Sequence, residues 1–154
     1  MVVRQKNAEL AKLAYGANYD QVMEAPVTIA LFTDTDLQKR ARKIARVGGV
    51  KNFTDEQLQY FMQNLPAEFA RYDAQQTSDY LALNAGLVAM NLVLALTDQG
   101  IGTNIILGFD KSKINEVLDI EERFRPEVLI TVGYAAEKVE PSYRLPVDEI
   151  IDKR

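Results

Sequence analysis

The sequence predicts a domain of the α/β or α+β class in which strands alternate with a majority of helices. Three observations lead there. β-rich runs of strand length recur at residues 27–32, 103–107 and 128–134. Between them lie stretches with helical spacing and capping residues at their starts. One apolar stretch, residues 80–96, is too long for a strand.

Taken in order, Val2 and Val3 suit a short strand. Residues 5–15 place Ala8, Leu10, Ala11, Leu13, Ala14 and Tyr15 at helical spacing, and Gly16 stops the run. Pro26 precedes the first long strand, 27–32, which polar Thr33 and Asp34 end. Asp36 suits the cap of a helix through about Val47, broken by Gly48 and Gly49. Thr54 with Gln57 three residues on is a capping-box pattern for a helix to about Asn64. Pro66 suits the first turn of the next.

The stretch 80–96 is apolar nearly all round. At 1.5 Å per residue it reaches about 25 Å, short of the roughly 30 Å hydrocarbon core of a membrane. Asn84 and Asn91 fall on one face, where lipid would leave them unpaired. A buried helix is therefore expected. In so small a domain, such a helix is either wrapped completely or packed against a second subunit. Gly100 and Gly102 follow a helix, so a glycine cap is expected there and a dinucleotide-binding turn is not. Gly108 to Asp110 opens a helix to about Leu118, with Asp110 as its cap. Pro126 precedes the last strand, and Pro141, Arg144 and Pro146 lead into a polar tail. No repeat or internal boundary interrupts the 154 residues, which fit one domain.

Composition narrows the chemistry. A net charge of −4 argues against nucleic-acid or anionic-membrane partners. The basic cluster Lys39, Arg40, Arg42, Lys43 and Arg46 reads as a solvated helix face. There is no Cys and no His. Thiolate catalysis, disulfides and the commonest metal ligands are excluded, so a catalytic chain of this kind needs a bound cofactor. The first residues form no long apolar stretch, and a cytoplasmic location is the default expectation.

Two places could hold such a group. Gly108 lies between a strand and an expected helix start, where a planar or anionic group can approach main-chain N–H groups. Arg144, between two prolines, could anchor a phosphate, although by itself it reads as an exposed tail arginine.

The ordered segments 84–110, 125–134, 144–150 and 21–31 resemble the nitroreductase family over nearly the whole chain. The resemblance implies an α+β fold with a mixed or antiparallel sheet flanked by helices. Two subunits would interlock through the long helix as a homodimer, with FMN at each interface. It implies that the turn at Ile106, Leu107 and Gly108 meets the flavin's N5 edge, and that Arg144 binds the FMN phosphate. Ser142 stands where the family often carries a second cation. Tyr60, Phe61 and Phe69 fall where the family places a variable lid, and core packing is the alternative reading for them. NAD(P)H would be the electron donor, and a nitroaromatic, quinone or similar small molecule the acceptor, by a ping-pong mechanism. Met1 to Arg4 resembles the end of the family's first strand, so the family's opening phosphate-gripping segment is expected to be lacking. A flavin-deficient dimeric remnant of the fold is the alternative.

Overall fold

The computed structural model describes residues 2–3, 7–49, 53–137 and 143–152. Four strands form one antiparallel sheet: β1 (Val2–Val3), β2 (Val27–Asp34), β3 (Gly102–Ile106) and β4 (Phe124–Gly133), in the order β1-β2-β4-β3. β2 and β4 are central and covered on both faces, which is why β4 reads as a continuous apolar run. On one face Ala30 and Leu129 pack with Leu10, Val22, Ile114 and Leu118. These come from α1 (Asn7–Ala11), α2 (Asn18–Glu24) and α7 (Ile114–Leu118). On the other face Val128 and Ile130 pack with Ala89 of α6 (Ala74–Asp98).

Several boundaries differ from the sequence reading, each for a physical reason. The helix expected over 5–15 is only α1, because Ala14 leaves it to bridge Phe109 and Tyr15 N–H donates to the Gly108 carbonyl. Helix α2 escaped notice: it has seven residues, one buried side chain (Val22) and no side-chain cap. β2 continues through Thr33 and Asp34, which pair with Arg125 and Phe124. Pro126 therefore lies inside β4, where Leu31 pairs with Val128 and Phe32 with Pro126, leaving Glu127 as the extra residue of a bulge. A proline is tolerated there because the ladder is already interrupted.

Asp36 does cap α3 (Leu37–Gly49), its carboxylate accepting from Lys39 N–H at 2.9 Å. The Thr54 capping box forms in full and starts α4 (Asp55–Gln59). The chain then widens into one π turn, Tyr60–Asn64, before α5 (Leu65–Phe69). Pro66 is the cause: it has no N–H to donate, and its ring would crowd the carbonyl four residues back.

Helix α6 begins earlier than residue 80, because Asp73 and Gln76 form a second capping box. Its 25 residues span about 37 Å. The length argument made from residues 80–96 thus does not hold, for α6 is long enough to cross a bilayer. Burial is one-sided. Leu81, Ala85 and Ala89 are buried, whereas Leu83, Leu87, Val88, Met90 and Leu94 are exposed. Gly100, at φ +74°, closes the helix as expected. Its N–H donates to Thr97, and Ile101 N–H donates to Leu96 at 3.0 Å. The short helix α8 (Val147–Ile150) follows Pro146.

Candidate functional site

The turn after β3 is held from behind by the chain that leaves α1. The Gly108 carbonyl accepts from Tyr15 N–H at 2.9 Å and from the Asn18 side-chain amide at 3.2 Å. Asp110 N–H donates to the Leu13 carbonyl at 2.8 Å, and the Leu107 carbonyl accepts from Phe109 N–H at 3.1 Å. Both carbonyls are thus used internally. Among the described residues, none of the turn's main-chain bonds is donated by Leu107 or Gly108. Gly108 has a packing reason too: a Cβ there would lie 2.9 Å from Asn18 Nδ2, so the residue must be small for the amide to reach. Beside this amide, Gln21 on α2 and Asn104 on β3 are hydrogen-bonded to one another.

Ile106 points into the core and is 1% exposed, so only its backbone is available to a ligand. Leu107 is 68% exposed and borders a cleft of about 340 Å³. The cleft runs between α6 and the β3–β4 edge, with Ala82, Gly86, Met90 and Ile105 on its walls. Glu127 also lines it, held by Arg125 Nε at 2.8 Å and by the Thr33 hydroxyl at 2.5 Å. Arg125 in turn donates to the Ser78 hydroxyl at 2.7 Å and so ties the start of α6 to β4. Below the turn, Asp110 accepts from the Ser112 hydroxyl at 2.6 Å and from its N–H at 3.0 Å. These bonds, with Lys113 at 3.4 Å, hold its carboxyl below the usual range. Asp110 caps this turn; the helix it was expected to start begins only at Ile114, with Lys113 at the cap position. Chemically, the arrangement can offer two N–H donors and an apolar wall to a flat, hydrogen-bond-accepting ring.

The other sequence-derived residues are dispersed. The exposed Arg144 donates to the neighbouring Tyr143 carbonyl at 2.9 Å and does not line the cleft. Ser142 lies outside the described residues. Phe61 stacks on Phe53 at 5.3 Å and meets Tyr60 edge-on at 5.4 Å. Phe69 instead packs on Tyr80 and lines a second hollow, of about 380 Å³, between β2, α3, α5 and α6. Asn18, Gln21, Asn104 and Glu127 were missed. The spacing of Asn18 and Gln21 on a short helix was the one available signal; burial of Glu127 depends on a bulge that no spacing encodes.

Comparison with known proteins identifies the family. The family model described as Nitroreductase family matches residues 1–134. The chain belongs to the nitroreductase family. A solved nitroreductase family protein from Streptococcus pneumoniae is 84% identical, with a TM-score of 0.96, over all of this chain and 77% of its own. A Streptococcus pyogenes protein named "Putative NAD(P)H nitroreductase" is 61% identical over this whole chain and 76% of its own length. A protein from Exiguobacterium sibiricum, solved as a "putative nitroreductase in complex with FMN", is 28% identical with a TM-score of 0.89. That match covers all of this chain and 75% of the other. The fold is the nitroreductase fold, and the chain is a nitroreductase-like oxidoreductase.

Proposed function

We propose that this nitroreductase holds FMN against the Leu107–Gly108 turn, in a site completed by a second copy of the chain. It would carry electrons from NAD(P)H to a nitroaromatic, quinone or similar acceptor by a ping-pong cycle. One observation carries the reading: the turn's carbonyls are tied back into the fold, no main-chain bond among the described residues is donated by Leu107 or Gly108, and exposed Leu107 borders a largely apolar cleft. Bound FMN would supply the redox chemistry, for which a chain without Cys or His has no side chain of its own.

The residues' part is positional. Tyr15 N–H and the Asn18 amide fix the Gly108 carbonyl, so the peptide plane cannot turn its acceptor outward. Leu107, Ile105 and Met90 provide a dry wall for one flat face. The donor set thus suits a ring edge with acceptor atoms. For the phosphate, Arg144 is the residue proposed, since among the described residues its exposed guanidinium donates to its own neighbour's carbonyl alone.

The second copy is proposed from α6. Leu83, Leu87, Met90 and Leu94 are 65%, 64%, 48% and 59% exposed. Their spacing of four, three and four is that of a helix-pairing seam. The alternative is a dimer that no longer retains flavin, which the position of Arg144 outside the lining of the cleft favours. An absorbance spectrum with added FMN, read beside gel filtration, separates the two. The proposal expects flavin absorbance at a dimer's elution volume, with NAD(P)H consumed when a nitroaromatic is added. A colourless dimer that takes up no FMN overturns it.

A further inference from the structure

We propose that the hollow between β2, α3, α5 and α6 binds an apolar monocarboxylate, with Arg40 as its anion anchor. The proposal goes beyond the flavin reading and does not depend on it. The hollow opens on the flank of α6 that carries Asn84 and Val88, whereas the Leu107 cleft lies along Ala82, Gly86 and Met90.

Its size of about 380 Å³ falls within the range of small-molecule sites. The walls are apolar: Leu31 and Phe32 from β2, Ile44 from α3, Leu65 and Phe69 from α5, and Val88 from α6. Phe69 and Tyr80, with ring centroids 5.3 Å apart, make one side aromatic. Two charges line the hollow, Asp34 and Arg40. Asp34 is committed elsewhere: it accepts from Asp36 N–H at 3.1 Å and lies 3.8 Å from an Arg123 guanidinium nitrogen. Asn84 has spent a side-chain N–H on the Tyr80 carbonyl at 2.7 Å. Arg40 forms no ion pair with a carboxylate among the described residues. Arg40, an exposed residue of α3 on the rim of this apolar hollow, is thus the lining charge without a carboxylate partner among the described residues.

Such a pairing selects a ligand with a greasy body and one planar anion, which a guanidinium grips through two parallel hydrogen bonds. A phosphate dianion would find one cation and too few donors. A second copy of the chain is the rival occupant, but the seam through Leu83, Leu87, Met90 and Leu94 faces another direction on α6, so pairing there need not fill the hollow.

Isothermal titration of the purified protein with 4-phenylbutyrate and with 4-phenylbutyramide tests the proposal. Wild type is expected to bind the acid about tenfold or more tightly than the amide. Arg40→Gln should erase that difference and leave amide affinity in place, and Ile44→Trp, which fills the hollow, should abolish both. Neither probe is reduced, so flavin absorbance of the same sample reports separately on the electron-transfer reading. Equal affinities for acid and amide, an unchanged preference in Arg40→Gln, or no binding of either probe overturns the proposal.

Discussion

At the scale of the residue, Asp110 is a charged side chain that serves structure, and Arg144 is the one proposed to meet a ligand. Asp110 is held below the usual carboxylate range first by the Ser112 hydroxyl and N–H, then by Lys113. A carboxylate with a lowered native pKa adds stability that is fully present above the ordinary aspartate value of about 4. That stability is lost as pH falls through the lowered native value. Wild type should therefore lose thermal stability below about pH 4 more steeply than Asp110→Asn, by a small margin because the group is exposed. Melting curves across that range check this; parallel slopes would contradict it. Arg144 makes its one local bond through an exposed guanidinium. Arg144→Ala is expected to weaken FMN binding by about 1.5–3 kcal/mol, the range for a charge-assisted hydrogen bond, with the melting temperature unchanged. Fluorescence titration of FMN reads the first and calorimetry the second.

At the scale of the element, capping signals were the most legible part of the chain. Thr54 with Gln57, Asp36 and Gly100 all act locally, between groups a few residues apart, so spacing alone encodes them. The second capping box, at Asp73, was equally encoded and was overlooked because the apolar run beginning at Tyr80 drew the boundary. Gly100 allows a sharp prediction. At φ +74° a side chain is strained, so Gly100→Ala should destabilise the protein by about 1 kcal/mol although a Cβ there meets nothing within 4 Å. Urea unfolding measures it, and an unchanged midpoint would show that the turn relaxes freely. Where local signals failed, long-range partners had taken over. Ala14 and Tyr15 have helical spacing yet are pulled out of α1 by Phe109 and Gly108, more than ninety residues away in sequence.

At the scale of the whole molecule, one helix binds the sheet and leaves its opposite side bare. Leu81, Ala85 and Ala89 are buried, Ala89 against Val128 and Ile130 of β4, while Leu83, Leu87, Met90 and Leu94 form an exposed seam on the opposite side. If a second copy covers that seam, Leu87→Glu places a charge in a dry interface. Such an unpaired charge costs several kcal/mol, so gel filtration should show monomer or aggregate in place of dimer. A dimer of wild-type stability carrying Leu87→Glu would show that the seam is not the interface.

Taken alone, the amino-acid sequence determined the class of fold, the strands that build the sheet, the locally capped helix starts and the absence of Cys and His. All of these follow from composition and from groups a few positions apart. Tertiary structure decided the rest: which face of α6 is buried, that Asn18 braces the Gly108 turn, that Glu127 sits in a bulge, and that Arg40 stands beside an apolar hollow. The reason is range. Burial and hydrogen-bond pairing between distant segments depend on where the folded chain brings them, and hydrophobic spacing fixes the face of an element without naming what it will meet.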